Sequence, residues 1–335
     1  MKSPHTSLEG KHLSVMIDEV LKICNPKNGG IFMDCTFGAG GYSKEFLKFQ
    51  ETQIVAIDRD NQASAFAKQI EDKFKSRFTF HNEKFSNLNL LSTNKFDAVI
   101  FDLGLSSIQL DNLSRGFSFK SKDKLNMTMG KTTKSAKEVL NYYSTQDLRD
   151  IFKTFGEEED ATRIAKNIVS QRNKKELETT DELVEIIKKS KKKNYKKKID
   201  VSTKTFQAIR IFVNQEISEL IDGIIKATKI LKPGGKLVVV SFHSIEDKII
   251  KFYFKNFSKN YSRSNKYLPE SNKRLSLFES YKNKIIQASS KEIKKNPRSR
   301  SAKLRFAIRS TDIFQEPNEL RKKFKYLTDL EKRIA

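Results

Sequence analysis

The chain has 335 residues, 37% of them hydrophobic and 32% charged, enough to bury a full core and too polar for a membrane protein. Lys and Arg number 65 against 41 Asp and Glu, a formal net charge of +24, so the field around the protein draws polyanions, nucleic acid first among them. No apolar run approaches the roughly 18 residues that cross a bilayer. The start, MKSPHTSLEG, lacks the apolar stretch of a signal peptide, and Cys24 and Cys35 have no metal-ligand spacing. Together these features fit a reducing cytoplasm.

In chain order, residues 12 to 23 place Val15, Met16, Val20, Leu21 and Ile23 at helical spacing. A strand follows from Ile31 to Asp34, then a small-residue turn, Gly38-Ala39-Gly40-Gly41, an amphipathic segment from Tyr42 to Phe49, and a second strand, Gln53 to Ile57, closing on Asp58. Strand, glycine turn, helix, strand and acid form the nucleotide-binding half of a doubly wound sheet. Glycines let the backbone approach a ligand, and a carboxylate at the next strand tip can accept hydrogen bonds from both ribose hydroxyls.

Two cofactor classes fit such a turn. A dinucleotide needs Gly-x-Gly-x-x-Gly, but after Gly38 and Gly40 the third place falls on Ser43, which counts against a dehydrogenase. Asp34 is also a poor neighbour for a diphosphate and a better one for an ammonium or sulfonium group. The turn therefore favours S-adenosylmethionine, which carries a cationic sulfur and no phosphate, and leaves the choice to downstream residues.

A helix over Asn61 to Lys73 and a strand over Phe78 to His81 come next. Phe85 is suited either to cover an adenine ring or to pack in the core. The run from Phe96 to Gly104 reads as a strand covered on both faces, ending on Asp102 beside the ligand crevice of a parallel sheet. Residues 107 to 129 look loop-like, and from Ser135 to about Ser190 the pattern is helical. Ser144 and Thr180 are plausible N-caps there, and Thr179 with Glu182 has capping-box spacing. Residues 188 to 198 hold eight lysines in eleven positions, a solvated loop able to touch phosphates without reading sequence.

One long helix is expected from Val201 to Leu231, with Phe206, Ile209, Val213, Ile217, Leu220, Ile221 and Ile224 on one stripe. Pro233-Gly234-Gly235 turns into a strand from Lys236 to Phe242, and His243 just beyond it can reach the crevice of Asp102. Residues 255 to 300 are basic and low in pattern. A final strand, Leu304 to Arg309, suggests a closing hairpin with a basic rim, and residues 312 to 335 a surface helix or tail.

Taken together, these pieces resemble the MraW-like family, the small-subunit ribosomal RNA methyltransferase H enzymes. The resemblance rests on His12 to Met16, DCTFGAGGYS at 34 to 43, AIDRD at 56 to 60, FDLGLSSIQLD at 101 to 111 and RGFSF at 115 to 119. It continues in TFQAIRIFVNQE at 205 to 216, LKPGGKL with SFHSIED at 231 to 247, and NPRSRSAKLR at 296 to 305. It implies an α/β fold, a Rossmann-like class I methyltransferase sheet with an inserted helical domain. The expected division is a methyltransferase domain over 1–110 and 200–311, an inserted RNA-recognition domain over 111–199, and a tail over 312–335.

The implied reaction is methyl transfer from S-adenosylmethionine to N4 of a cytidine in the decoding region of small-subunit rRNA, either as naked RNA or in the assembled small ribosomal subunit. The implied cofactor contacts are Gly40, Gly41, Tyr42, Asp58, Phe85, Asp102 and Gln109. Asp102, Asn126 and His243 are the candidate catalytic acceptors, and no metal is expected. Two positions depart from the family pattern. Tyr42 stands where histidine is usual, and Asn126-Met127-Thr128-Met129 where Asp-Met-Arg-Met is usual, which removes an acid and an arginine. Amino-methylating DNA enzymes carry Pro-Pro-aromatic after the strand-end acid or asparagine, whereas this chain has Leu103-Gly104-Leu105, which keeps the substrate on RNA. A non-catalytic RNA-binding assembly factor is the rival reading, and the oligomeric state stays open, a homodimer included.

Overall fold

The computed structural model describes residues 14–88, 95–130, 134–191, 200–262 and 276–333. His12 and Leu13, the lysines from 192 to 198, and much of the low-pattern stretch (263–275) therefore lie outside the described residues. Seven strands, β1 (Gly30–Asp34), β2 (Thr52–Ile57), β3 (Phe78–His81), β4 (Phe96–Asp102), β5 (Leu231–Ser241), β6 (Ile286–Gln287) and β7 (Lys303–Ile308), form one sheet. Its order is β3-β2-β1-β4-β5-β7-β6. Strands β1 to β5 pair in parallel, and β7 runs antiparallel between β5 and β6. This is the doubly wound, Rossmann-like sheet that the sequence leads one to expect. The order reverses direction between β1 and β4, so the crevice of a doubly wound sheet lies beyond their carboxyl ends.

Side chains on alternate positions divide the core into two layers. Phe32, Ala98, Ile100, Val238, Val240 and Leu304 face α1 (Ile17–Cys24), α2 (Gly41–Phe46) and α3 (Ala63–Phe74). Met33, Val99, Phe101, Leu237 and Val239 belong to the other layer. That layer is shared by α4 (Ser107–Asp111), α5 (Ala136–Tyr142), α6 (Thr145–Gly156), α7 (Ala161–Arg172), α8 (Thr180–Ser190), α9 (Thr203–Asn214), α10 (Glu216–Ile230) and α11 (Ser244–Asn256), directly or through their neighbours. The first helix starts at Ile17, five residues later than its periodicity suggests.

Local sequence explains most helix ends between β4 and α9. Ser135 and Glu138 form a capping box, and Ser144 accepts from the Asp147 amide. Thr179, not Thr180, is the N-cap of α8: Glu182 reaches back to its amide at 3.1 Å, while the Thr180 hydroxyl donates to the Ser121 carbonyl at 2.7 Å. The stretch read as loop after β4 is partly helical. Ser106 and Gln109 close a capping box around α4, a signal hidden by the helix's five-residue length.

The expected single helix from Val201 to Leu231 is two helices. Gln215 between them adopts left-handed backbone, φ 51° and ψ 41°. Buried Asn214 fixes the break: its Oδ1 accepts from the Met129 amide at 2.7 Å, and its Nδ2 donates to the carbonyls of Met127 and Arg210, each at 2.8 Å. Asn214→Ala leaves buried backbone groups of Met127 and Met129 without partners and is expected to cost about 2–4 kcal/mol, read as a lowered urea midpoint in equilibrium unfolding.

Candidate active site

A cavity of about 460 Å³ opens beyond the carboxyl ends of β1, β2, β4 and β5. Its wall is built from the segment after β1 (Cys35 to Ala39), Asp58 after β2, Asp102 to Ser106 after β4, and Phe242 after β5. The N-terminus of α10, the head of the chain at Ser14 and Val15, and Asn296, Arg298 and Ser301 complete it.

The glycine turn is shaped by close approaches. Gly40, at φ 77°, caps α2, and a Cβ on Gly41 would sit 1.9 Å from the Ser14 hydroxyl, so the glycine gives Ser14 room to lie over the turn. Tyr42 is buried, and its hydroxyl donates to the Val15 carbonyl, which fastens the same segment. Beneath the turn, the fully buried Asp34 accepts from the Ser43 hydroxyl at 2.7 Å and does not line the cavity. Its carboxyl is pushed up to about 6 by burial.

Asp58 does line the cavity. One carboxylate oxygen accepts from the Gly38 amide at 2.7 Å and the other from the Asp60 amide at 2.8 Å, so the acid ties the glycine turn to the strand tip. Burial raises its carboxyl to about 6 against the pull of those two amides. Gln109 is buried, with both ends of its carboxamide engaged: Oε1 accepts from the Ser106 amide at 3.0 Å and Nε2 donates to Asp60 at 2.7 Å. Arg115 closes the same group with an ion pair to Asp60 at 2.5 Å. Phe85 stands edge-on to Phe101, ring centres 5.4 Å apart. It reaches the wall because Gly223 has no side chain, since a Cβ there would lie 2.6 Å from the ring.

Asp102 holds its place through its own amide, which donates to the Thr36 hydroxyl at 2.7 Å. Its carboxyl is raised well above the carboxylate range, first by burial and then by Asp34, Glu246 and Glu292. The buried oxygens Asp102 Oδ1 and Glu219 Oε2 have no hydrogen-bond partner among the described residues. Both residues line the cavity. A carboxylate oxygen buried without a donor is costly, so these two ask for a ligand with N–H or O–H groups. Cys35 also lines the cavity, and burial pushes its thiol well up, which suits a small strand residue and not a nucleophile.

The two remaining candidates sit apart from the wall. Asn126 is exposed, and its Oδ1 accepts from the amide and hydroxyl of Thr128 at 3.2 and 2.6 Å. His243 is the N-cap of α11, and its Nε2 lies 3.0 Å from Glu246 Oε1. Glu246 is the member of that pair that reaches the cavity. Burial opposes its charge, but His243, the Phe242 amide and Arg210 outweigh burial and hold its carboxyl below the usual range.

Four lining residues escape a reading by periodicity: Arg210, Glu216, Glu219 and Glu246. Each is a polar residue within a helix assigned by its apolar stripe. For Arg210, Glu216 and Glu246 the signal is the charged positions inside TFQAIRIFVNQE and SFHSIED, whereas Glu219 lies outside both stretches. Arg210 pairs with Glu216 through two parallel bonds of 2.8 Å. Donor atoms of Glu216, His243 and Glu246 lie within 4.8 Å of one another, a spacing that could hold a cation. The guanidinium already occupies both Glu216 oxygens, so the cluster carries its own counter-charge.

Among the described residues no helix is long and apolar enough to cross a membrane. The model of the MraW methylase family matches residues 9–310. Ribosomal RNA small subunit methyltransferase H of Rickettsia akari (strain Hartford) is 43% identical over 303 residues, 88% of this chain and 97% of that protein. The namesakes from Wolbachia pipientis subsp. Culex pipiens (strain wPip) and Ehrlichia canis (strain Jake) are 42% and 39% identical, over 88% and 89% of this chain and 97% and 99% of theirs.

The raised carboxyls of Asp34 and Asp58 set a pH trend. In the unfolded chain both titrate near 3.8, in the folded chain near 6. Their contribution to stability is complete below the unfolded value and is lost as pH rises through about 6. Urea unfolding from pH 4 to 7 is expected to show this fall, and Asp58→Asn to make it shallower.

Proposed function

Because the chain belongs to the MraW methylase family, we propose that its cavity holds S-adenosylmethionine and that the protein methylates small-subunit ribosomal RNA, at N4 of a cytidine in the decoding region. The observation that carries this reading is the buried Asp102 Oδ1 left without a donor at the tip of β4, beside the glycine turn. An exocyclic amine is the donor it lacks.

Gly41 and Tyr42 would border the cofactor on the turn that Gly40 shapes behind them, Asp58 would accept from its ribose hydroxyls and Phe85 would cover its adenine, while Gln109 braces the wall through Asp60. Bound there, S-adenosylmethionine supplies an electrophilic methyl group on a positively charged sulfur. The residues of the chain must do the rest. A cytosine amine is a poor nucleophile, because its lone pair is delocalised into the ring. Asp102 and the carbonyls of Leu103-Gly104 accept its N–H bonds, which localises the lone pair and orients the nitrogen for in-line attack at about 3–3.5 Å. Burial and three neighbouring acids keep the Asp102 carboxyl basic enough to take the proton released. No covalent intermediate is needed, consistent with a buried, protonated Cys35.

The substrate approaches over a basic mouth. Arg298, bonded to Asp111 at 2.7 Å, lines the opening, and the net charge of +24 supplies attraction for phosphates. The target base is unstacked to reach so enclosed a site. Residues 111–199 serve as the RNA-recognition insertion, and His243 acts through Glu246 and not on the base directly.

Mass spectrometry of small-subunit rRNA incubated with protein and cofactor should show one N4-methylated cytidine. Asp102→Asn should lower kcat roughly 10²–10⁴-fold with cofactor affinity little changed. Product that appears at a ring carbon or on another base would refute the target, and unmodified RNA would favour the assembly-factor reading. Asp58→Ala is expected to weaken S-adenosylmethionine binding in calorimetry while the fold persists.

A further inference from the structure

The family match ends at residue 310, yet the chain continues into two more helices, α12 (Asn318–Lys323) and α13 (Lys325–Lys332). They do not trail over the surface. Leu320, Phe324, Leu327 and Leu330 are buried, and Phe324 meets Phe252 of α11 edge-on at 5.5 Å. Arg321 pairs with Asp222 in the middle of α10. At the far end of α13, Glu331 is 2% exposed. Its Oε1 accepts from the Ile217 amide at 2.9 Å, and its Oε2 accepts from the Ser218 amide at 2.8 Å and the Ser218 hydroxyl at 2.5 Å.

Those amides belong to the first turn of α10, where helix backbone donors have no partner of their own. Gln215, the residue before this 15-residue helix, offers no side-chain cap. A carboxylate from a distant part of the chain does the work of an N-cap, favoured further by the positive end of the helix dipole. The same turn presents Glu216, Ile217, Glu219 and Leu220 to the cavity.

We propose that the Glu331 carboxylate, and not the packing of its helix, is a clamp on the active site: a positioning residue that holds the first turn of α10 so that Glu216 and Glu219 keep their places in the wall. This rests on the cavity being the cofactor site. The clamp joins the end of the chain to the site without touching ligand, so its loss weakens binding through displacement of the wall.

The test uses the full chain at pH 8, where a carboxyl pushed up to about 7 by burial is ionised. Glu331→Gln replaces one acceptor by a donor. Leu327→Ala removes buried methyl groups from the same helix but keeps the carboxylate, and serves as the control for plain destabilisation. In Glu331→Gln, amide exchange at Ile217 and Ser218 should quicken and S-adenosylmethionine affinity fall roughly fivefold to tenfold. Leu327→Ala, although it melts lower, should bind as the unaltered chain does. Equal weakening in both variants, or unchanged affinity and exchange in Glu331→Gln, would overturn the clamp. Should Glu331→Gln fail to fold, Ser218→Ala removes one of the three bonds and must quicken exchange at the same amides. If the unaltered chain binds no S-adenosylmethionine, the cavity reading fails alone, and the exchange rates at Ile217 and Ser218 decide the clamp by themselves.

Discussion

The ion pair between Arg210 and Glu216 spans a break of one residue, and the cavity depends on it. Arg210 lies in the last turns of α9, Gln215 turns the backbone left-handed, and Glu216 starts α10. Two half-buried charges that meet bidentately at 2.8 Å satisfy each other's hydrogen bonds, the condition under which removing an ion pair from water is tolerable. Asn214 adds the neutral half of the device by binding the segment of Met127 and Met129 to the same break. Arg59 joins from the other side, donating to the Asn214 carbonyl at 2.8 Å. A straight helix through residue 215 would carry Glu216 to another face and leave the wall open.

Around that break the cavity gathers acids. Asp58, Asp102, Glu216, Glu219 and Glu246 all line it, against Arg59, Arg210 and Arg298. The acids differ in what holds them. Glu216 is paired with Arg210, Glu246 accepts from the Phe242 amide, and Asp58 accepts from two amides, whereas Asp102 Oδ1 and Glu219 Oε2 are buried without a hydrogen-bond partner among the described residues. Those two oxygens are the acceptors of the wall that the chain itself leaves unused. A cavity this acidic inside a chain of net charge +24 separates two tasks. The surface attracts polyanions, and the interior offers hydrogen-bond acceptors.

The departures from the family pattern are absorbed locally. Tyr42 uses its hydroxyl to fasten Val15, a contact with the head of the chain and not with the cavity's acids. Asn126 and Thr128 bond to each other on the surface, and the Thr128 carbonyl accepts from Arg115 at 2.7 Å. Neither change removes a group from the wall that carries Asp102.

Sequence by itself determined the parallel sheet, the glycine turn and the acids at strand tips, because each is written in residues adjacent along the chain. Short apolar runs set β1, β2, β4 and β5, and strand ends place Asp58 and Asp102 on one edge of the sheet once its order is known. Gly41, Tyr42, Phe85 and Gln109, named through the resemblance, lie on the cavity wall, and Gly40 lies behind it. What tertiary structure alone decided lies in contacts between distant segments. The helix break at Gln215 needs Asn214 to meet residues 127 and 129, and no local propensity encodes it. The seat of His243 behind Glu246, the exposure of Asn126, and the docking of Glu331 on Ile217 and Ser218 likewise depend on which surfaces pack, since hydrogen bonds between elements form only after the apolar faces have chosen their neighbours.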